Sequence, residues 1–384
     1  MWTWRTVKCK PELSEYMKLL ITGGHHTTAI PVINEFKKRY ENVEILWVGH
    51  TYSLWKDKNK SSEYKEITSM GIPFFDIDAG KFYKIYSPFR IAKTFFGLAK
   101  AFRLLQKLKP DGILSFGGYI SVPVVLAGFL LRIPSATHEQ TVVAGFANRF
   151  ISFFVKRIYI SWRDSAKYFP KSKTLYTGLP IREEVLNPRS SEVTFNNNLP
   201  IIYITGGKQG SHVINECVKG VLEDLLIIAN VIHQCGSYSE SDDYNELLQR
   251  REKLPEGLKE RYKVYDYIDT KHIGEVLSKT SLVVSRAGAN TVYELLALEK
   301  PSIFIPIPWV SHNEQFLNAK IVEDLGLSKI IPEEELTKKR LIDDISFVLR
   351  NLNSFILKSD RKIEIVSDSA KVLADDIYQE ILVK

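Results

Sequence analysis

Cysteine is scarce in this chain: Cys9, Cys217 and Cys235 are odd in number and far apart. Such a set cannot build a disulfide framework and has no metal-ligand spacing, which predicts a reducing compartment. Long apolar runs are lacking too. The most apolar stretch, "ISVPVVLAGFLL", is broken by Pro and Gly and falls short of the roughly 20 residues that span a bilayer. The first residues, "MWTWRTVKCKPELSEYMK", have no apolar core, so no signal peptide is expected. A soluble or peripheral chain that does not span is predicted. No serine nucleophile elbow and no phosphate loop ending in Gly-Lys-Ser/Thr occurs. The Asp-x-Asp of Asp76 to Asp78 precedes "AGKFYK" rather than a nucleotide turn, and no metal is expected there or elsewhere.

Acidic residues are absent from 81–109, "KFYKIYSPFRIAKTFFGLAKAFRLLQKLK", which carries eight basic residues and seven aromatics. The chain as a whole has a formal net charge of +7, pointing to an anionic partner without naming it. Charge interleaved with Phe82, Lys84, Phe89, Arg90, Phe95, Phe96, Lys100 and Arg103 suits an anionic membrane surface. A solvated helix with its aromatics in the core is the competing reading. Nucleic acid is not expected, because no recognition module accompanies the charge.

What the chain has twice is "ITGG", at Ile21 to Gly24 and again, 183 residues on, at Ile204 to Gly207. Each copy ends an apolar run and precedes helical spacing, the strand-to-helix turn of a parallel α/β unit. Strands read at "KLLIT", "VEILWVG", "GILSF", "SATHE", "RIYIS" and "TLYTG", then at "IIYIT", "NVIHQC", "YKVYDY", "LVVS", "PSIFIPI" and "SKII". Helices read between them, including one unbroken helix over "SHVINECVKGVLEDLL". The expected architecture is α/β, with two Rossmann-like doubly wound domains facing across a cleft. Residues 1–178 form the first, 179–200 a Pro- and Asn-rich linker, 201–366 the second, and 367–384 a helix packing back on the first. Ligands of such folds sit outside the carboxyl ends of the strands, here between the two domains.

Several strand ends carry chemistry. "ITGGKQGSHVINE" pairs a glycine turn (Gly206, Gly207, Gly210) with Lys208 and a helix N-terminus, which suits a phosphate. A ligand-free βα turn explains the same residues. In "SRAGANTVYELL", Glu294 can accept bonds from vicinal ribose hydroxyls or simply complement the helix dipole. Gln315 and Asn318 lie three apart on one helical face. In the first half, "ITGGHH" places His25 after the turn, as a general base or a solvated loop residue. "FGGYISVP" adds a second glycine turn, and "ATHEQT" adds His138, Glu139 and Gln140 at a third strand end.

As a set, "TGGH", "SFGGYISVPVVLAG", "PSATHEQTVVAGFANR", "TGLPIR", "ITGGKQGSHVIN", "SRAGANTVYELLAL" and "PSIFIPIPWVSHNEQFLNA" resemble the MurG family in content and order, from about Leu19 to about Pro332. These are peripheral glycosyltransferases of GT-B fold that add N-acetylglucosamine to lipid I in peptidoglycan synthesis. The resemblance implies an inverting, metal-independent transferase that uses UDP-N-acetylglucosamine, takes no cofactor and works at the cytoplasmic face of the bacterial membrane. It implies a sugar-nucleotide contact for Thr22, Gly23 and Gly24, and a base role for His25 or His26. His138 and Glu139 would be catalytic neighbours, with Thr141 on the sugar nucleotide. Arg182 would face the diphosphate, Gly207 and Lys208 the phosphate turn, and Ile268 the uracil. Ala289, Asn290, Thr291, Val292, Tyr293 and Glu294 would frame the nucleotide, and Gln315 would contact the sugar. Three positions depart from the family: Thr141 where it has Asn, Lys208 where it has Ser, and Pro31 further from His25 than its proline usually falls. Rival readings are a related transferase with another lipid-linked acceptor, and a UDP-N-acetylglucosamine 2-epimerase.

Overall fold

Leu19, Leu20 and Ile21 all lie fully buried in one strand, so the run is apolar on both faces, as a central parallel strand requires. The computed structural model describes residues 16–52, 60–77, 88–188, 193–236, 241–310, 313–357, 365–366 and 368–383. Its first domain runs β1 (Met17–Thr22), α1 (His26–Arg39), β2 (Val43–Gly49), α2 (Ser62–Ser69), β3 (Phe74–Asp76), α3 (Pro88–Leu108) and β4 (Gly112–Ser115). It continues through α4 (Ser121–Leu130), β5 (Ser135–Glu139), α5 (Phe146–Ile151), β6 (Arg157–Ile160) and β7 (Thr174–Tyr176). The seven strands pair in the order β3-β2-β1-β4-β5-β6-β7, all parallel.

After α6 (Glu183–Leu186), the second domain repeats the plan. It runs β8 (Ile201–Thr205), α7 (His212–Lys219), α8 (Leu222–Ile228), β9 (Asn230–Gln234), α9 (Asp243–Glu252), α10 (Glu256–Lys259) and β10 (Tyr262–Tyr265). Then come α11 (Thr270–Lys279), β11 (Leu282–Ser285), α12 (Ala289–Ala297), β12 (Ser302–Phe304), α13 (Glu314–Asp324), β13 (Ser328–Ile330) and α14 (Lys338–Arg350). Its parallel order is β10-β9-β8-β11-β12-β13. In each sheet the winding reverses beside the strand that ends in "ITGG", between β1 and β4 and between β8 and β11. That reversal opens the crevice where such folds take ligands.

Gly23 shows why the first turn needs glycine. Its φ is 145°, and a Cβ there would lie 2.8 Å from the Phe116 backbone. Gly24 N–H then donates to the Gly117 carbonyl at 3.0 Å, joining the turns after β1 and β4.

Three features differ from the sequence expectation. The helix expected over 211–226 breaks into α7 and α8 around Gly220 and Val221. β3 was not anticipated, because three residues, "FFD", leave no periodicity to read. The expected linker is not free chain: Leu179, Ile181, Val185 and Val193 are buried in the core of the second domain. The chain closes with α15 (Ser369–Ile377) and a π-helical turn. Leu373, Ala374, Ile377, Ile381 and Leu382 complete the core beneath β1 and α1 of the first domain. Tyr40 and Tyr159 hydroxyls donate to Asp375 and Asp376 at 2.6 and 2.8 Å. No helix among the described residues is long and apolar enough to cross a membrane.

Candidate active site

The rim of the second domain is assembled by one amide. Gln234, at the end of β9, donates from Nε2 to the Gly207 carbonyl at 3.1 Å and accepts from Ile268 N–H at 3.0 Å. It therefore fixes the glycine turn against the loop after β10. Within the turn, Gly210 has φ 83°, and a Cβ there would lie 1.9 Å from the Cys235 carbonyl oxygen. Arg286, buried at the end of β11, donates to Ser211 Oγ at 2.7 Å and to the Ile305 carbonyl at 3.0 Å. Glu333 lies 2.5 Å from it and balances its charge. Ser211 and the start of α7 are thereby locked in place.

Midway along α12, Glu294 receives Arg182 Nε and Nη2 in a bidentate pair, both at 2.8 Å. Burial opposes the Arg182 charge, but the Glu294 carboxylate outweighs it and raises the guanidinium pKa. Arg182 and Glu294, given separate ligand contacts from sequence, form one buried unit. Both line a cavity with Thr27, Tyr203, Gly207, Lys208, Ile268, Asn290 and Thr291. Because Ile268 N–H is bonded to Gln234, its apolar side chain and its carbonyl are what it can offer a base.

In the first domain His25 occupies the N-cap position of α1, without a side-chain capping bond, two residues before Thr27, which lines the cavity. His25 is exposed, yet the surrounding protein strips enough solvation to lower its pKa to about 4, with His26 adding to the effect. The imidazole is neutral at pH 7 and able to accept a proton. His26 is turned elsewhere: its Nε2 lies 2.9 Å from Glu66 on α2. Glu66 also takes Lys208 Nζ at 2.6 Å, across the cleft. Burial pushes the Glu66 carboxyl up, but His26 and Lys208 outweigh it and hold its pKa at about 2. A second contact across the cleft joins Thr28 Oγ1 to Asn290 Oδ1 at 2.9 Å, with Gln140 Oε1 2.8 Å from the same hydroxyl.

His138 and Glu139 are both buried at the end of β5. His138 is buried, with Nε2 3.3 Å from both the Gly178 carbonyl and Ser161 Oγ. Burial lowers its pKa to about 4 against the pull of the Gly178 carbonyl, and His25 lowers it further. Glu139 accepts from Thr141 N–H (3.0 Å), Thr141 Oγ1 (2.7 Å), Gly145 N–H (3.0 Å) and Asn148 Nδ2 (3.0 Å). It organises its loop, and Thr141 is bound into that same network. Glu139 has both oxygens engaged, whereas His138 Nδ1 is buried without a hydrogen-bond partner.

Other expected residues divide similarly. Thr22 is fully buried below the first turn, and Val292 and Tyr293 are fully buried, so their side chains shape the second domain's core instead of framing a ligand. Ala289 is nearly buried at the start of α12. Gln315 Oε1 accepts from Ile307 N–H at 3.1 Å, while Asn318 is buried against the Ala287 carbonyl at 3.4 Å. Asp76 Oδ1 takes Thr51 N–H at 2.8 Å, and Asp78 lies outside the described residues. Among the described residues, His212, Glu216 and Asp243 have ligand atoms close enough for a metal. The pair His212–Asp243 is a 2.7 Å contact, Asn215 bonds the other Asp243 oxygen, and Lys219 pairs with Glu216. Phe82 and Lys84, and the side chains of Phe89, Arg90 and Phe95, fall outside what is described; Phe96, Lys100 and Arg103 are exposed on α3.

Sequence reasoning missed Gln234, Thr28 and Glu66. Only Gln234 left a signal, a polar residue closing an apolar strand.

Residues 22–160 match the glycosyltransferase family 28 N-terminal domain, and residues 201–374 match its C-terminal domain. With two facing Rossmann-like sheets, this defines a glycosyltransferase of GT-B architecture. The chain is 33% identical over 349 residues to UDP-N-acetylglucosamine–N-acetylmuramyl-(pentapeptide) pyrophosphoryl-undecaprenol N-acetylglucosamine transferase 2 of Bacillus cereus, covering 87% of this chain and 92% of that one. It belongs to the MurG family of these transferases. The crystal structure of Acinetobacter baumannii MurG superposes with a TM-score of 0.70 at 24% identity, covering 94% of this chain and 99% of that one. A putative UDP-N-acetylglucosamine 2-epimerase from Listeria monocytogenes superposes at 0.64 with 12% identity, covering 95% and 96%. At these identities both structures speak to the fold alone.

Proposed function

We propose that this chain transfers N-acetylglucosamine from UDP-N-acetylglucosamine to the muramoyl sugar of lipid I, with inversion at the anomeric carbon. The observation that carries the site assignment is one cavity, at the winding reversal of the second sheet, bordered by the glycine turn, Lys208, Ile268, Glu294 and Thr27 of the opposite domain. Uracil lies against Ile268, the ribose hydroxyls meet the Glu294–Arg182 unit, and the diphosphate takes Lys208 and the amides of the glycine turn. Attack by the acceptor hydroxyl on the anomeric carbon breaks its bond to the diphosphate oxygen. The charge that develops on the departing UDP is met by groups already in place.

His25 accepts the proton of the attacking hydroxyl. Its low pKa in the free protein makes it a weak base, but a diphosphate opposite favours the imidazolium and raises that value toward the operating pH. Glu139 and His138 hold the loop and the β5 end that border it, as positioning residues. The acceptor's lipid stays in the membrane, and the enzyme docks through α3 to α5 at the cytoplasmic face. Phe96, Phe129, Leu130, Phe146, Phe150 and Phe153 are exposed there. Phe129 and Phe150 both pack on Phe154, with ring centroids 5.2 and 5.5 Å away, while Lys100 and Arg103 stand exposed on α3. Basic groups near an anionic surface add about 1 kcal/mol each.

Incubation with labelled UDP-N-acetylglucosamine, with and without lipid I, tests the reaction. Label should move to lipid I only when lipid I is present. Consumption of the sugar nucleotide with release of its 2-epimer, in the absence of acceptor, would replace the proposal by epimerisation.

A further inference from the structure

The ion pair between Glu66 and Lys208 spans the cleft from α2 to the glycine turn, between residues 142 apart in sequence. The carboxylate is shared: one oxygen is 2.6 Å from Lys208 Nζ, the other 2.9 Å from His26 Nε2, and His26 adjoins His25 at the head of α1. Lys208 also lines the cavity assigned to the sugar nucleotide.

An ammonium has three N–H groups, so hydrogen-bond count alone would let Lys208 keep Glu66 and bind a diphosphate together. Charge opposes this. A carboxylate and a diphosphate on the same ammonium leave a net negative cluster in a partly buried place, where repulsion is screened less than in bulk water. One anion must yield. His26 Nε2, 2.9 Å from the other carboxylate oxygen, leaves Glu66 a polar neighbour without Lys208, which makes the carboxylate the more replaceable partner.

We propose that Glu66 is a positioning residue that latches Lys208 across the cleft in the donor-free enzyme and surrenders it to the donor's diphosphate. The inference rests on the UDP-sugar reading of the cavity. Glu66 parks Lys208 near where the phosphates arrive, holds the domains together at that edge, and afterwards keeps the head of α1 in register through His26. Thr28 and Asn290 form the second polar contact across the cleft and involve no charge.

A water-soluble carbodiimide joins a carboxylate to an amine only when the two are in contact. Treatment of the wild-type chain should give a Glu66–Lys208 isopeptide, mapped by mass spectrometry, and saturating UDP should suppress it. Calorimetric titration with UDP supplies the second readout. Glu66→Gln should tighten UDP by about two- to fivefold, the range of a partly exposed ion pair. In a Lys208→Ser background the same change should have no effect on UDP affinity. A merely structural role for Glu66 would not depend on Lys208 in this way. The proposal is overturned if the isopeptide does not form, if it persists at saturating UDP, or if Glu66→Gln weakens UDP or acts equally in both backgrounds. Failure of UDP to bind the wild type would remove the donor reading and the release step with it, while the donor-free isopeptide would still report the contact.

Discussion

The two domains share a winding plan and differ in what they place along the facing rims. The first offers imidazole, amide and hydroxyl groups: His25, His26, Gln140 and Thr28. The second offers charge and backbone amides: Lys208, the Glu294–Arg182 unit and the glycine turn braced by Gln234 and Arg286. Under the proposed reaction, one fold serves two tasks. Groups that move a proton must titrate near neutrality, whereas groups that hold a nucleotide diphosphate must stay charged or fixed across the working pH range.

The sharpest way to break that division is His25→Ala. Turnover should fall by about 10²- to 10⁴-fold, with UDP affinity nearly unchanged, in a steady-state assay paired with calorimetry. A change of only a few-fold, with the large loss appearing in His26→Ala instead, would move the base by one residue. Next in size is Leu373→Ala, which hollows the first domain's core from the far end of the chain. It should cost about 2 to 5 kcal/mol, read as earlier denaturation followed by the emission of buried Trp47, while UDP binding by the second domain persists.

Glu294→Ala should act on the other side of the comparison. Losing the bidentate partner of Arg182 should weaken UDP by about 10- to 100-fold and leave a buried guanidinium unpaired. The smallest effect is on acid stability. His138 and His233 are buried neutral, with pKa values lowered by burial to about 4 and about 3. Between the unfolded histidine value of about 6.5 and those folded values, the unfolded chain binds more protons, so stability falls as pH falls. Glu66, held at about 2, loses its contribution as pH falls from its ordinary value of 4.5 to about 2, below the window of the histidines. Melting temperature should therefore drop by a few degrees between pH 7 and pH 5, and His233→Asn should flatten the slope. A flat profile in the wild type would show that these imidazoles are protonated when folded.

The fold was legible because "ITGG" occurs twice at the head of similar strand patterns, and buried parallel strands are apolar on both faces. What escaped were elements too short for a period, such as β3, and a helix whose break at Gly220 looks like ordinary helical sequence. In the site, the glycine turns were legible because glycine at a strand end marks a turn of positive φ, and the α12 carboxylate because it follows such a turn within one short helix. Glu66 was not, since an acidic residue on a polar helix gains meaning only from a lysine 142 residues away. Nor were Phe129 and Leu130: in a stretch that reads as uniformly apolar, nothing marks the end that faces outward.

The return of α15 to the first domain bears on how the protein is made. Five side chains from 373–382 fill the core under β1, with Ile381 so close to Gly112 that an added Cβ there would lie 2.7 Å from it. A ribosome that has released 1–178 has therefore not supplied everything this core requires. Of the two domains, the one translated earlier completes its core only when α15 emerges, after the later one.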